Sequence, residues 1–236
     1  MNVAWHVTDV TSLPLNRAEL AAVEERARAE GYQHVWLDCV ATDTRLVRWY
    51  QREGYYPAHV VAAIRPRVMR LQKDLAAARA LGKMFEDWQP ELTGTLLFVI
   101  DADQVLLIDK KTGHGAGKIN APGGKLENGE TPVACAVRET LEEVGIVVAD
   151  PQLMARLKFA DTLASQWYGF VFVAHAYTGT AIETAEADPR WYALDDIPYD
   201  SMWQDDRIWL PLVLSSQQVE GEFLFDDGTL RAHRIV

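Results

Sequence analysis

Three carboxylates lie close together on a predicted helix. Glu139, Glu142 and Glu143 are three and four positions apart, a spacing that places them on one helical face. Because like charges repel, a helix that keeps them together is expected to bind a cation, and oxygen ligands suit a hard ion such as Mg²⁺. A metal held there could support phosphoryl transfer, with a carboxylate taking a proton from water. The alternative is a solvated acidic face, which a pair of glutamates alone would favour.

The helix that carries these carboxylates has clear boundary signals. Thr131 is a suitable N-cap, Pro132 stands at the first helical position, and Gly145 can end the helix. Gly123 and Gly124 lie just before it, in a loop whose backbone can approach a phosphate or offer a carbonyl to a metal.

Residues 124–146 have the sequence GKLENGETPVACAVRETLEEVGI, which resembles the Nudix signature G-x5-E-x7-R-E-U-x-E-E-x-G-U, with U apolar. The specified positions that match are Gly124, Glu130, Arg138, Glu139, Glu142, Glu143, Gly145 and Ile146. Thr140 occupies the first U position, where its methyl group can still pack.

Nudix enzymes hydrolyse a nucleoside diphosphate linked to another group. The resemblance implies Mg²⁺, with Mn²⁺ as a substitute, held by the Gly123 carbonyl, Glu139, Glu142 and Glu143. The same three glutamates would be catalytic, with Glu143 or a nearby glutamate activating water. An ion pair between Glu130 and Arg138 would orient the helix, which is a structural role.

The flanking segments KKTGHGAGKINAPGGK (110–125) and DPRWYALDDIPYDSMWQDDRIWLPLVL (188–214) resemble one Nudix branch, the oxidised purine nucleoside triphosphatases. The likeness implies a base pocket formed by Asn120, Trp203, Asp205 and Asp206. An indole can stack on a base, and the polar groups can meet its edge. Adjacent buried acids can also share protons. The alternative is that Trp203 is a core residue and the two acids cap the next helix.

Other positions match this branch less specifically. Substrate contacts are expected from Thr95, Lys110, Gly124 and Lys125. His114 stands where the branch has an aromatic residue, and Glu186 aligns with an extra carboxylate that reaches the metal site. A solvated surface role for Glu186 is equally consistent with its loop position.

The predicted activity is Mg²⁺-dependent hydrolysis of oxidised purine nucleoside triphosphates, such as 8-oxo-dGTP and 2-hydroxy-dATP, to the monophosphate and pyrophosphate. This activity cleans the nucleotide pool and prevents DNA damage. The alternatives are a Nudix pyrophosphohydrolase of ADP-ribose or an unmodified nucleotide, and a non-catalytic nucleotide-binding or scaffold protein. The resemblance implies an α/β fold for residues 93–236, an α/β/α sandwich around a mixed sheet.

Residues 1–65 form a different region. The segment 23–61 predicts helix, strand, helix and strand in turn. It resembles the C-terminal half of the GNAT acetyltransferase fold, with Asp43, Tyr50, Gly54 and Tyr55 at the pattern positions. The segment TSLPLNRAEL lacks the glycines that bind the acetyl-CoA pyrophosphate. We therefore expect a degenerate half-domain, with an active acetyltransferase as the alternative. Its exposed strand edge leads us to hypothesise a homodimer.

Residues 66–92 are predicted to connect the two regions. Apolar and charged residues alternate with helical spacing from Val68 to Trp88, between Pro66 and Pro90. This pattern predicts a connecting amphipathic helix.

Composition excludes several classes of protein. A net charge of −11 argues against binding a nucleic acid polymer. No apolar run reaches the length of a membrane span, and the N-terminus lacks a basic and apolar signal sequence, so a cytoplasmic protein is expected. Cys39 and Cys135 are expected to be reduced thiols rather than a disulfide framework.

Overall fold

The computed structural model describes residues 4–7, 15–40, 43–61 and 68–235. The chain divides into two compact units. The first contains residues 1–88, 223–226 and 230–236, and the second contains residues 89–222 and 227–229. Within the described residues, no helix is long and apolar enough to cross a membrane.

The first unit alternates strands and helices along the chain. Its elements up to residue 88 are β1 (Ala4–Val7), α1 (Arg17–Ala29), β2 (His34–Val40), α2 (Thr44–Arg52), β3 (Tyr56–Val61), β4 (Val68–Asp74) and α3 (Leu75–Met84). The strands form a sheet in the order β1-β2-β4-β3, with β1 parallel to β2 and the other pairs antiparallel. The predicted helices and strands of residues 23–61 are confirmed. Thr42 and residues 11–14 of the segment without glycines lie outside the described residues.

A buried carboxylate links the elements of the first unit. Glu24 on α1 is only 7% exposed, and it accepts hydrogen bonds from Tyr55, Arg28 and Lys73. Burial, followed by the charge of Glu24, raises the pKa of the Tyr55 hydroxyl. The two cations compensate the charge of Glu24, as burial of a carboxylate requires.

The prediction of one connecting helix is wrong for residues 68–84, which form a strand followed by a helix. Val68–Asp74 is a strand that pairs with both β2 and β3, and α3 begins only at Leu75. Leu71 is fully buried, whereas its neighbours Arg70 and Gln72 are half-buried. This alternation has a period of two, which a central strand can use and a helix cannot. The Asp74 side chain then accepts from two backbone N–H groups and caps α3. Residues 66 and 67 of the predicted linker lie outside the described residues.

The second unit is built on a mixed sheet. Its strands are β5 (Leu92–Asp101), β6 (Gln104–Lys110), β7 (Ile119–Asn120), β8 (Val147–Ala149), β9 (Gln152–Asp161), β10 (Trp167–Ala174), β11 (Ala176–Thr178) and β12 (Ala187–Ala193). The order is β12-β6-β5-β10-β9, followed by the first half of β13 (Val219–Asp226), with β7 beside β6 and a separate β8-β11 pair. β5 and β10 are parallel, β9 is antiparallel to β10, and β6 is antiparallel to β5 and β12. β14 (Thr229–Ile235) follows β13 in the chain and is its neighbour in the sheet order.

Helices cover both faces of this sheet. Leu97 and Val99 of β5 belong to a buried cluster that includes Ala136 of α4 (Pro132–Val144). Phe98 lies between them in sequence, and its ring packs on Trp209 of α5 (Asp206–Leu214), with centroids 6.0 Å apart. Because adjacent strand residues point to opposite faces, α4 and α5 lie on opposite sides. The predicted α/β/α arrangement around a mixed sheet is confirmed.

The predicted boundaries of α4 are also confirmed. Thr131 Oγ1 accepts a hydrogen bond from the Ala134 N–H, Pro132 begins the helix, and Gly145 ends it with a φ of 73°. Thr140, the residue that departs from the signature, is fully buried, and its hydroxyl donates to the Ala136 carbonyl at 2.7 Å. That local bond satisfies its polar group while the methyl packs.

Candidate functional site

A glycine loop joins β7 to the helix that carries the three glutamates. The Gly124 carbonyl accepts from the Thr95 N–H at 2.9 Å, and this fixes the loop on β5. A Cβ at Gly123 would overlap the Thr95 carbonyl, and a Cβ at Gly124 would overlap the Glu139 carboxylate. Glycine at both positions therefore lets the loop backbone lie directly against β5 at Gly123 and against Glu139 at Gly124.

Glu143 lies deepest among the three carboxylates. It is 1% exposed, and it accepts from Lys110 Nζ at 2.5 Å and from the Gly123 N–H at 2.9 Å. Lys110 was predicted to contact substrate; the structure places its ammonium group on Glu143 and 3.5 Å from the Gly123 carbonyl. One buried ion pair thus connects β6, the glycine loop and α4.

Arg138 bonds the remaining acidic groups of the signature. Its Nε and Nη2 donate to the two oxygens of Glu130 at 2.9 Å each, which is the expected ion pair. Hydrogen bonding to Arg138 holds the pKa of Glu130 at about 2. Nη1 donates to both Glu139 and Glu142, also at 2.9 Å. Sequence reasoning had not anticipated this second set of contacts.

The donor set suits Mg²⁺ in its chemistry, because it offers carboxylate oxygens and a backbone carbonyl. Burial raises the pKa of Glu139, and the charges of Glu143 and Glu142 raise it further, so the three carboxylates interact electrostatically. In the part of the chain that the structure describes, no three acidic, histidine or cysteine side chains converge as a metal cluster. Glu139 and Glu142 form ion pairs with Arg138, and Glu143 forms one with Lys110.

Glu186, the predicted extra ligand, lies in an exposed loop. Its carbonyl accepts from the Lys111 N–H, and its own N–H donates to Thr184 Oγ1. Thr184 also donates to the Glu143 carbonyl at 2.9 Å and anchors the loop to the end of α4. No described contact joins the Glu186 side chain to the three glutamates.

Thr95 and Cys135 form a buried link between β5 and α4. Thr95 is 4% exposed, and its hydroxyl donates a hydrogen bond to Cys135 Sγ at 3.4 Å. The Cys135 thiol lies 3.4 Å from the Lys125 carbonyl, and burial raises its pKa to about 11. Thr95 was predicted as a substrate contact, and its described side-chain bond is to this thiol.

Two buried carboxyls begin α5. Asp205 and Asp206 are 3% and 2% exposed. Trp209 Nε1 donates to Asp205 Oδ2 at 2.8 Å, and the Trp203 N–H donates to Asp206 Oδ2 at 2.9 Å. Asp205 occupies the N-cap position but makes no side-chain capping bond, so capping does not account for its burial.

Their surroundings make both acids harder to ionise. Burial raises the pKa of Asp205 and of Asp206, and for Asp206 the neighbouring charge of Asp205 raises it further. Lys118 acts in the opposite direction on both. A protonated carboxyl can donate a hydrogen bond and an ionised one can only accept, so the pair offers either function.

Asn120 lies on β7, opposite Ile108 of β6. Its side chain is half-buried, and Oδ1 accepts from the Ala121 N–H at 2.8 Å. That bond leaves the amide NH₂ as the free donor end of the group. β6 also carries Lys110 at its end, so one pair of strands holds both Asn120 and the partner of Glu143.

Three stacked rings and two lysines form an aromatic and cationic array: His114, Trp167, Trp203, Lys118 and Lys125. The His114 imidazole stacks on Trp167, with centroids 4.9 Å apart, and on Trp203, at 5.4 Å. Lys125 Nζ lies 5.3 Å from the Trp167 ring, and Lys118 Nζ lies 4.7 Å from the Trp203 ring. His114 is exposed as a residue, but the partial desolvation of its stacked ring, followed by the charges of Lys125 and Lys110, lowers its pKa.

Trp167 and Lys118 were missed from the sequence. Trp167 is the first residue of β10 and follows a polar loop. A tryptophan at the start of a strand was the signal that could have identified it. No pattern in the sequence pointed to Lys118.

Comparisons with known proteins agree with this geometry. Residues 91–213 match the model of the NUDIX domain. The chain is 39% identical to an oxidized purine nucleoside triphosphate hydrolase of Danio rerio, over 56% of this chain and 85% of the relative. It is 38% identical to the Mus musculus protein of the same name, over 56% and 86%.

A solved structure shares the fold of the second unit. The MutT protein from Bacillus halodurans is 30% identical with a TM-score of 0.55, and the match covers 61% of this chain and 97% of that one. The matching domain model includes the glycine loop and α4. The chain therefore belongs to the Nudix family of hydrolases.

Proposed function

We propose that the protein hydrolyses oxidised purine nucleoside triphosphates to the monophosphate and pyrophosphate. The observation that carries this proposal is the pair of buried carboxyls, Asp205 and Asp206, which begin two residues after the half-buried indole of Trp203. Burying two acids costs stability, so a pair kept beside an aromatic ring is consistent with recognition of a base edge. Two relatives of this chain carry the name oxidized purine nucleoside triphosphate hydrolase.

The base would stack on Trp203 and bond to the polar groups around it. An oxidised purine differs from the normal base in the donors and acceptors of its edge. A neutral carboxyl donates and an ionised carboxyl accepts, so Asp205 and Asp206 could match an altered edge. Asn120 would add its amide NH₂ group as a donor.

Mg²⁺ would be held by Glu139, Glu142, Glu143 and the Gly123 carbonyl, with Glu186 as an additional ligand from its loop and Mn²⁺ as a substitute. When bound, the ion neutralises charge on the phosphate oxygens and orients them for attack by water. The carboxylates also provide the proton acceptor for that water, a role that Glu143 or a neighbouring glutamate would fill.

The chain's own cations prepare this acidic surface. Lys110 and the Gly123 N–H hold Glu143 in place, while Arg138 fixes Glu130 and lies against Glu139 and Glu142. Fixed charges of this kind require little reorganisation during the reaction. Lys125, on the glycine loop, would add positive charge near the phosphates.

A substrate panel tests the proposal. Pyrophosphate release with Mg²⁺ would be measured for 8-oxo-dGTP, 2-hydroxy-dATP, dGTP and dATP, and AMP formation would be measured for ADP-ribose. We expect kcat/KM for an oxidised purine to exceed that of its normal counterpart by tenfold or more, about 1.4 kcal/mol in transition-state binding. A preference for ADP-ribose or an unmodified nucleotide would refute the proposed substrate class and leave the Nudix chemistry in place.

For the first unit we propose a structural role as a degenerate acetyltransferase-like half-domain. The sequence TSLPLNRAEL lacks the glycines that an acetyl-CoA loop needs. Its four-stranded sheet has β1 and β3 as its edges, and we propose that two copies of the chain associate through one of them. A monomeric mass in analytical ultracentrifugation at micromolar concentration would contradict this association.

A further inference from the structure

The strongest unexplained feature of the second unit is the position of the His114 ring. It is nearly parallel to both indoles, with interplanar angles of 26° to Trp167 and 15° to Trp203. The two tryptophans are half-buried, whereas His114 is exposed. A side chain from the solvent side therefore covers the stacking surfaces that the proposed base site offers.

The segment that carries His114 is suited to move without disturbing the sheet. Gly113 and Gly115, on either side of the histidine, have φ values of 74° and 84°, which favour glycine. A Cβ at Gly113 would meet nothing within 4 Å, so open space lies beside this residue. Lys110 closes the base of the loop by hydrogen bonds with Gly117 and Lys118. His114 can thus change position while the ends of the loop stay fixed.

Both indoles have a planar partner and a cationic partner. The Trp203 ring stacks on the His114 imidazole and also lies 4.7 Å from the Lys118 ammonium. The Trp167 ring stacks on the same imidazole and lies 5.3 Å from the Lys125 ammonium. A planar base that stacks on the face covered by His114, on either indole, must therefore replace the imidazole.

We propose that His114 is a gate of the base site. In the absence of ligand its imidazole occupies the stacking position on Trp167 and Trp203, and a purine base displaces it on binding. Of the three partners of the indoles, His114 is the planar one and the one between two glycines with positive φ. A bicyclic base covers more of an indole than an imidazole does, so the exchange favours the base. The inference rests on the proposed function, since it assumes that a purine is the ligand.

A gate has a specific thermodynamic consequence. The free energy needed to move the imidazole off the indoles is the same for every ligand, because it belongs to the protein alone. Removing the imidazole should therefore lower the dissociation constants of all bases by one common factor. The ratio between a purine and a pyrimidine should stay constant, which a direct base contact from His114 would not predict.

The first test measures nucleotide binding without turnover. Dissociation constants of 8-oxo-dGMP, AMP and dTMP would be compared by calorimetry for the wild type, His114→Ala and the matched control His175→Ala, which removes an exposed histidine outside this array. We expect His114→Ala to bind all three more tightly by one factor of about two to ten, the value of one aromatic contact. Unchanged or weaker binding, or a factor that differs between bases, would overturn the proposal.

The second test follows the imidazole itself. Ring currents of two stacked indoles shift the His114 Hε1 proton upfield, and the resonance is assigned by its absence in His114→Ala. Saturation with 8-oxo-dGMP or AMP should move it to the position of an exposed imidazole. A nucleotide that binds while the resonance keeps its upfield shift would overturn the gate.

The two proposals fail differently. If AMP displaces His114 but 8-oxo-dGMP does not bind, the gate stands and the proposed substrate class is wrong. If 8-oxo-dGTP is hydrolysed selectively and its monophosphate binds without moving His114, the substrate class stands and the gate is wrong. If neither nucleotide binds, both are wrong.

Discussion

Lys110 Nζ lies 2.5 Å from Glu143 Oε1, in an ion pair whose carboxylate is 1% exposed. A charge buried this deeply is stable only with its partner, because water cannot replace the lost interaction. The lysine therefore maintains the acidic face of α4 as well as lying near the expected substrate site.

Replacing Lys110 with methionine should destabilise the protein by about 3 kcal/mol, the usual cost of leaving one buried charge unpaired. Urea unfolding would measure the loss. The double variant Lys110→Met/Glu143→Gln should recover part of it, because it removes both charges. Lys111→Met is the matched control: its partner Glu183 is 67% exposed, so we expect a loss below about 1 kcal/mol. Equal effects of the two lysine variants would contradict this account of the pair.

Glu142→Gln should reduce kcat by more than about 100-fold, equivalent to about 2.7 kcal/mol of transition-state stabilisation. The carboxylate is 59% exposed, so its removal should change the unfolding free energy by no more than about 0.5 kcal/mol. Pyrophosphate release and urea unfolding would be measured together. Glu183→Gln, another exposed glutamate, is the control for activity. Turnover of Glu142→Gln at the wild-type rate would refute its role as a metal ligand.

Trp203→Ala should raise KM for an oxidised purine triphosphate by about tenfold, because stacking of a base on an aromatic side chain contributes about 1–3 kcal/mol. Tripolyphosphate has the phosphates but no base, so its inhibition constant should stay the same in this variant. Steady-state kinetics of pyrophosphate release would provide both constants. An inhibition constant that rises with KM would show that the substitution disturbs the phosphate site rather than base stacking.

The buried acids should make stability depend on pH. Burial raises the pKa of Asp206, so the folded chain holds this proton more tightly than the unfolded chain does. Stability should therefore decrease as the pH rises from the ordinary aspartate value through the raised folded value, by at most about 1.4 kcal/mol per pH unit for one proton.

Asp206→Asn removes this proton and retains an oxygen for the Trp203 N–H. Its unfolding free energy should decrease less with rising pH than that of the wild type, in urea titrations at several pH values. Asp200→Asn, at a carboxyl that is 98% exposed, should follow the wild-type curve. Parallel curves for Asp206→Asn and the wild type would show that Asp206 is ionised in both states.

Local patterns were sufficient for much of the fold. The caps and the proline and glycine positions of α4 depend on backbone geometry within a few residues, and Thr131, Pro132 and Gly145 occupy them as predicted. The helix-strand alternation of residues 23–61 was also visible. The prediction for residues 68–74 was wrong because the segment is too short to separate the two periods, and pairing with β2 and β3 decides in favour of a strand.

The sequence by itself determined the family, the acidic face of α4 and the set of residues expected around the base. Only the tertiary structure decided the partners of those residues: Lys110 with Glu143, Thr95 with Cys135, and His114 with two indoles. The members of each pair are separated in the chain by 33, 40 and more than 50 residues. Contacts at such separations depend on strand order and helix packing, which bring distant residues together without leaving a local pattern in the sequence.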